Sequence, residues 1–154
     1  MLQKLKVFLS YAHEDEAMKE QLDKNLIMLK RSNQIDVWED RKITAGMEWD
    51  QSITKALAEA DIILLLISTD FNNSEYIWNK ELKTALERHE KNEARVIPVI
   101  LRTCDWSQSP YAKLLALPVG AKPISSFPDA DVAYTDIAKG IRMVADYMLS
   151  QKNK

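Results

Sequence analysis

The run of six apolar residues at Ile62–Ile67, with the sequence IILLLI, constrains the fold more than any other part of the chain. It does not alternate between apolar and polar residues, and it is shorter than an ordinary buried helix. Both properties are typical of a central strand in a parallel sheet that is covered on both faces. Parallel strands need long crossover connections, which are usually helices. The run therefore predicts an α/β fold.

Four further strands are predicted around this run, at residues 5–10, 35–38, 96–101 and 122–125. Pro98 has no N–H to donate to a neighbouring strand, so its strand should lie near an edge of the sheet or carry an irregularity. Strands that alternate with helices favour a flavodoxin-like three-layer sandwich with a five-stranded parallel sheet in the order 2-1-3-4-5.

Helices are predicted where apolar residues recur every three or four positions. The first has Met18, Leu22, Leu26 and Leu29, the second has Trp49, Ile53, Leu57 and Ala60, the third spans residues 74–91, and the last has Ile137, Ile141, Val144 and Met148. Asp131 is expected to cap the last helix. Residues 1–150 are expected to form one domain, and residues 151–154 a frayed polar tail.

The composition excludes several classes of protein. The 154 residues carry a net charge of −2, so no overall field would attract nucleic acid or an anionic membrane. No run approaches the roughly 18 apolar residues of a membrane span, and the acidic residues after residue 12 rule out a signal peptide. Cys104 is the only cysteine, which indicates a reducing compartment. We expect a soluble, cytoplasmic domain without nucleic-acid or membrane partners.

Common nucleotide and metal sites are also excluded. The three glycines form neither a G-x-G-x-x-G motif nor a P-loop. Two histidines and one cysteine cannot build an ordinary zinc site, so no metal is expected. A phospho-receiver domain would need an acceptor aspartate at the end of the third strand and a lysine at the end of the fifth, where this chain has Ser68 and Ser125.

In open parallel sheets, ligands bind beyond the carboxyl ends of the strands. Residues 10–13, 38–46 and 68–74 follow the first three strands, and they are where a functional site is expected.

Four segments resemble the motifs of TIR (Toll/interleukin-1 receptor) domains, in the family's order and spacing. Residues 7–15, VFLSYAHED, resemble the first box; residues 37–49 resemble the second strand and BB loop; residues 60–68 resemble the third strand; and residues 71–86 resemble the segment with the catalytic glutamate. Bacterial TIR domains, and some from plants and animals, are NAD+ glycohydrolases. The resemblance implies the same fold, NAD+ as substrate, no cofactor, and Glu81 as the catalytic residue.

The chemistry of this reaction is consistent with one carboxylate. Nicotinamide leaves as a neutral molecule, so no acid has to protonate it, and one carboxylate can stabilise the oxocarbenium-like charge on the ribose. Ordinary glycosidases need two carboxylates because their leaving oxygen must be protonated. On a helix, Glu81 shares a face with Ile77, Trp78 and Ala85. The alternative is a solvated surface glutamate.

The resemblance implies substrate-binding residues in all three segments and in the helix that follows the third: Ser10, Tyr11, Ala12, His13, Trp38, Asp40, Ile43, Ser68 and Trp78. Trp38 and Trp78 would cover the nucleotide, with core packing as the alternative for each. His13 stands where relatives often place an arginine near the phosphates, and a plain surface histidine is its alternative. Phosphate contacts would then be weaker, or would come from Arg41 or Lys42.

Ile43 lies in the BB loop, which in the family packs against a neighbouring TIR domain; a scattered surface apolar residue is the alternative. The resemblance implies assembly with other TIR domains, as a homo-oligomer or filament, and a fused or associated sensor domain that activates an antiphage immune effector. A second possibility is an adaptor without enzymatic activity that acts through TIR–TIR contacts. A third is an enzyme that cyclises or transfers ADP-ribose, because only the capturing nucleophile differs.

Overall fold

The computed structural model describes residues 4–38 and 45–152. Its central sheet has four parallel strands, β1 (Leu5–Ser10), β2 (Ile35–Val37), β3 (Ile62–Ile67) and β4 (Arg95–Ile100), in the order β2-β1-β3-β4. All six residues of β3 are buried, as a strand covered on both faces requires. The α/β fold with a parallel sheet is confirmed, and so is the edge position predicted for the strand with Pro98.

The predicted fifth strand at residues 122–125 is wrong within the part of the chain that is described. That segment leads into a 3₁₀ helix, Ile124–Ser126. Pro123 and Pro118 have no N–H, so the segment cannot donate a continuous ladder of hydrogen bonds to β4. One residue pairs instead: Leu117 N donates to Pro98 O at 2.9 Å, and Ile100 N donates to Leu117 O at 2.8 Å.

Most helices occupy the predicted segments, with some interruptions, and an additional short helix at Thr69–Asn73 lies before the third predicted helix, where none was predicted. They are α1 (Glu16–Asn25), α2 (Ile27–Arg31), α3 (Trp49–Glu59), α4 (Thr69–Asn73), a π-helical turn at Ile77–Leu82, α5 (Lys83–Glu90) and α6 (Ala130–Lys152). The cap predicted at Asp131 is wrong by two residues. Helix α6 begins at Ala130, and Asp129 Oδ1 accepts the hydrogen bond from Asp131 N at 3.0 Å.

The two faces of the sheet carry separate apolar cores, which confirms the three-layer sandwich. Leu64 and Leu66 of β3 point to the face covered by α1, α2 and α6. Ile63 and Leu65 point to the opposite face, where residues of α3, α4, the π turn and α5 pack against them. Among the described residues, no helix combines the length and apolar character needed to cross a membrane.

Candidate functional site

A cavity of about 540 Å³ opens at the carboxyl edge of the sheet, where the sequence predicted a site. Its walls come from the end of β1 and the loop after it, the start of α3, α4 and the segment that leads into the π turn. The described residues that line it are Phe8, Leu9, Tyr11, Ala12, His13, Glu14, Trp49, Ile53, Asp70, Asn73, Ser74, Tyr76, Ile77 and Glu81.

Glu81 is a buried carboxylate in the wall of this cavity. Only 7% of the residue is exposed, and Ser10 Oγ donates a hydrogen bond of 2.7 Å to its Oε1. Burial of a carboxylate is costly unless polar groups compensate it, and a hydroxyl that donates to a charged oxygen is a strong compensation. The solvated-surface alternative for Glu81 is therefore excluded.

The π turn explains how a helical glutamate comes to lie beside the end of β1. In the π turn at Ile77–Leu82, backbone hydrogen bonds connect residues five positions apart instead of four, which rotates the following side chains relative to the α-helical register. Single π turns in α-helices occur frequently at functional sites. No residue in this segment is a glycine or proline, so the sequence carries no obvious indication of the change.

Two aromatic rings form another wall of the same cavity. The rings of Trp49 and Tyr76 lie with their centroids 5.0 Å apart and their planes inclined at 40°. Tyr76 Oη donates a hydrogen bond of 2.9 Å to Asp50 Oδ1. Burial, the hydrogen bond to Asp50 and the charges of Asp50 and Glu81 all raise the pKa of Tyr76 above its usual value. The phenol therefore stays protonated and keeps donating to Asp50.

A charged network beneath the loops ties three strand ends together. Asp15 is 2% exposed and accepts hydrogen bonds on Oδ1 from Arg102 Nε at 3.1 Å and Nη2 at 2.8 Å. Arg102 Nη2 also donates to Asp70 Oδ2 at 2.6 Å, and Ser68 Oγ donates to Asp15 Oδ2. These bonds, first of all the one to Asp70, raise the pKa of Arg102 further. The network holds the loop after β1 against the start of α4.

Sequence reasoning missed the role of Asp15 and Arg102. Asp15 was visible only as part of an acidic cluster, although it is the buried member of that cluster. Arg102 follows β4 by two residues and so arrives at the same sheet edge as Ser10 and Ser68. Its position directly after the fourth strand could have indicated that Arg102 lies at this sheet edge.

Several predicted binding residues reach the cavity directly or through one contact. Tyr11, Ala12 and His13 line it, and Ser10 reaches it through Glu81. Trp38 is half-buried and does not itself line the cavity. Its ring stacks on Phe8, which does line the cavity, with 5.5 Å between the ring centroids.

Two predicted binding residues lie elsewhere. Ser68 does not line the cavity, because its hydroxyl caps α4 by accepting from Phe71 N at 3.0 Å and donates to Asp15. Trp78 lines a second cavity, of about 650 Å³, on the outer side of α5. Its ring packs edge-on against Tyr111 with centroids 6.5 Å apart. The predicted contact of Trp78 with the Glu81 site is not formed, and the core-packing alternative describes it better.

The electrostatic character of the Glu81 cavity is acidic. Glu14, Asp70 and Glu81 contribute carboxylates, of which Asp70 is paired with Arg102, and no lysine or arginine lines the cavity among the residues that the structure describes. Asp40 and Ile43, together with the phosphate candidates Arg41 and Lys42, lie outside the described residues. The described part of the site is suited to an aromatic, positively charged group beside a buried carboxylate.

Comparison with known proteins identifies a family and a similar bacterial protein. A family model described as TIR domain matches residues 7–139. The chain is 48% identical over 139 residues to the uncharacterized protein y4lF of Sinorhizobium fredii; the match covers 90% of this chain and 43% of that relative. The chain thus spans less than half of the length of that curated relative.

Three solved structures are similar in fold. The TIR domains of the activated Roq1 resistosome, which directly recognizes the pathogen effector XopQ, match with a TM-score of 0.63 at 18% identity, over 90% of this chain and 99% of theirs. The RPS4 and RRS1 TIR domain heterodimer gives 0.65 at 12% identity, over 94% and 100%. The TIR domain of the Toll-related receptor TRR-2 from Hydra magnipapillata gives 0.56 at 21% identity, over 88% and 97%. At these identities the similarity concerns the fold.

Proposed function

Because the chain belongs to the TIR domain family, we propose that it cleaves NAD+ at the bond between nicotinamide and ribose, with Glu81 as the catalytic residue. One observation carries the proposal: Glu81 is 93% buried, lines a cavity of about 540 Å³ and accepts a hydrogen bond from Ser10 Oγ. Burial of a carboxylate is costly, and titratable groups held in such an environment beside a cavity are concentrated at functional sites.

The proposed reaction needs little more than this carboxylate. The bond between C1′ of the ribose and the ring nitrogen breaks, and its electron pair leaves with nicotinamide, which becomes neutral. Positive charge develops on C1′ and the ring oxygen of the ribose. A fixed carboxylate beside that charge stabilises the transition state more than the ground state, which is the condition for catalysis. Water then adds to C1′, and its proton passes to Glu81 or to solvent.

The product depends on which nucleophile captures the cation. Capture by water gives ADP-ribose, and capture by a nitrogen of the adenine base gives a cyclic ADP-ribose. Both routes share the step assigned to Glu81, so the proposal covers both. Chromatography of the reaction separates the two products.

We further propose that contacts between TIR domains activate the site. The relatives of similar fold include the RPS4 and RRS1 heterodimer, in which TIR domains pair, and TIR domains within the Roq1 resistosome. The y4lF relative is more than twice as long as the matched region, which leaves room in that protein for another domain. A sensor domain joined to this one would make it an assembly-activated immune effector, in the antiphage role that the family resemblance implies.

The test is release of nicotinamide from NAD+ at high protein concentration by the native chain and three variants. Glu81→Gln keeps the side chain's size and its acceptor for Ser10, and it should lower kcat about 100-fold or more because the charge is lost. Ser10→Ala removes one hydrogen bond to a charged group and should lower kcat about tenfold. Glu87→Gln, an exposed glutamate of α5, is the matched control and should retain full activity.

Two outcomes would contradict the proposal. Equal activity of the native chain and Glu81→Gln would mean that another group performs the chemistry. The absence of nicotinamide release from every folded protein would exclude the enzymatic function. The proteins tested must include a native chain that is forced to oligomerise by fusion to a self-assembling partner. That second outcome would favour a non-enzymatic adaptor, a function for which the pairing in the RPS4 and RRS1 heterodimer is the supporting observation.

A further inference from the structure

We propose that Trp49 and Tyr76 form a preorganised aromatic wall that binds a positively charged, planar ring, and that this wall selects the pyridinium ring of the substrate. The identity of the ligand rests on the proposed function, whereas the preference for a cationic ring rests on the wall and the charges around it. Neither residue was among the binding residues predicted from the sequence.

The exposure of Trp49 is the first observation. It is the first residue of α3, its exposed fraction is 51%, and it lines the cavity that contains Glu81. Tryptophan is usually well buried, since its ring carries a large apolar surface. Here the indole packs against Tyr76, about half of the residue's surface is exposed, and the residue lines the cavity. A third planar ring can therefore stack on this pair.

The second observation is that Tyr76 is held in place without a ligand. Its hydroxyl donates to Asp50 Oδ1 at 2.9 Å, and Asp50 directly follows Trp49 in α3. Lys80 Nζ lies 3.8 Å from Asp50 Oδ2 on the other side. This connection joins the start of α3 to the segment that carries Glu81. The two rings are thus ordered before binding, which reduces the entropy lost when a ligand is bound.

The surrounding charge decides which ring the wall prefers. The carboxylates of Glu14 and Glu81 line the same cavity, together with Asp70, which is paired with Arg102; among the described lining residues, His13 is the only one with a basic side chain. The faces of indole and phenol rings attract cations. Tyr76 and Glu81 line the same cavity, and the charge of Glu81 contributes to the raised pKa of Tyr76. A cationic ring on the wall therefore lies beside the carboxylate, where the bond to ribose must be.

The same arrangement favours release of the leaving group. Cleavage converts the pyridinium ring into neutral nicotinamide, which keeps its stacking contacts but loses the cation–π attraction and the attraction to the carboxylates. Adenine is neutral and would gain stacking alone. The wall should therefore discriminate by charge between rings of similar size, and the loss of Trp49 should affect substrate binding more than the chemical step.

The direct test measures binding of two small probes to the full chain by NMR titration. The probes are the 1-methylnicotinamide cation and neutral nicotinamide. We expect the native chain to bind the cation at least about threefold more tightly, and Trp49→Leu to weaken cation binding about 3- to 30-fold. Trp49→Phe should restore most of the affinity. Tyr147→Leu, which removes an exposed aromatic residue of α6 far along the chain, is the matched control and should change nothing.

Activity gives a second, separable readout. With NAD+ as substrate, Trp49→Leu should raise KM by a similar factor and leave kcat within about threefold. If no protein cleaves NAD+ but the charge preference is present in the native chain and lost in Trp49→Leu, the proposed function fails and the aromatic wall stands. Equal binding of the two probes, undetectable binding of both, or unchanged binding and KM in folded Trp49→Leu would overturn the inference.

Discussion

Replacement of Arg102 by methionine tests the charged network that joins three strand ends. Methionine keeps an unbranched apolar stem of similar reach but removes the guanidinium and the three hydrogen bonds that it donates to Asp15 and Asp70. Asp70 is partly exposed and can be solvated after the change. Asp15 is only 2% exposed, so its carboxylate would remain buried with the hydrogen bond from Ser68 and without a countercharge.

The expected cost follows from this asymmetry. Loss of one partner from a buried ion pair usually costs about 3–5 kcal/mol, because the other charge is left uncompensated. The Arg102 side chain is 40% exposed, so its contribution is screened by water in part and the lower end of that range applies. We therefore expect the free energy of unfolding to fall by about 3 kcal/mol. For a domain of this size, that lowers Tm by roughly 6–12 °C.

Urea unfolding followed by circular dichroism measures the change. Asp15→Asn in the Arg102→Met background removes the uncompensated charge and keeps an oxygen that can accept from Ser68, so it should recover at least half of the loss. Arg142→Met removes an exposed arginine of α6 and should change the free energy of unfolding by less than about 0.5 kcal/mol.

Two results would refute the reasoning. A loss below about 1 kcal/mol in Arg102→Met would mean that water reaches Asp15 and that its burial is not costly. Failure of Asp15→Asn to recover stability would mean that the loss comes from the stem of Arg102 or from Asp70, and that the buried charge is not the cause.

Three further predictions concern the core and the alkaline limit of stability. Leu64→Ala, in a fully buried strand position, should lower the free energy of unfolding by about 2–5 kcal/mol in urea titrations. Leu115→Ala, at 95% exposure, should change it by less than about 0.5 kcal/mol. Equal effects of the two substitutions would contradict the burial pattern. Gly140→Ala should not stabilise α6, because the added Cβ would lie 2.7 Å from Leu117 Cδ2. In a Leu117→Ala background, the same change should raise the free energy of unfolding by roughly 0.5–1 kcal/mol, since alanine has a higher helix propensity than glycine. A gain in the native background would show that Leu117 moves aside freely. Burial raises the pKa of Tyr111 from 10.0 to about 12, so the unfolded chain loses this proton at a lower pH than the folded chain, and stability should fall between about pH 10 and 12. In Tyr111→Phe, the decrease of Tm over this pH range should be smaller in thermal scans at stepped pH. An identical slope in the two proteins would contradict the prediction.

Much of the site was predictable from position along the chain. The end of a buried parallel strand marks the sheet edge where ligands bind, and that rule placed Ser10, Tyr11, Ala12 and His13 correctly at the cavity or one contact from it. The helical spacing around Glu81 predicted that it shares a face with apolar residues, but it did not predict that Glu81 itself is buried. Trp78 was misplaced for the same reason: it lies within the π turn, so its direction does not follow from α-helical spacing.

The sequence by itself determined the sheet, since six consecutive apolar residues in β3 can be buried on both faces only between two layers of helices. Because proline cannot donate to a neighbouring strand, the sequence also limited the strand with Pro98 to a place near an edge or to an irregular strand, and the structure shows the edge position. Only the tertiary structure decided that Trp49 and Tyr76 stand together at the Glu81 cavity and that Arg102 joins Asp15 to Asp70. These contacts connect residues 27 to 87 positions apart. Side-chain pairing over such distances depends on how the layers pack, which no local pattern encodes.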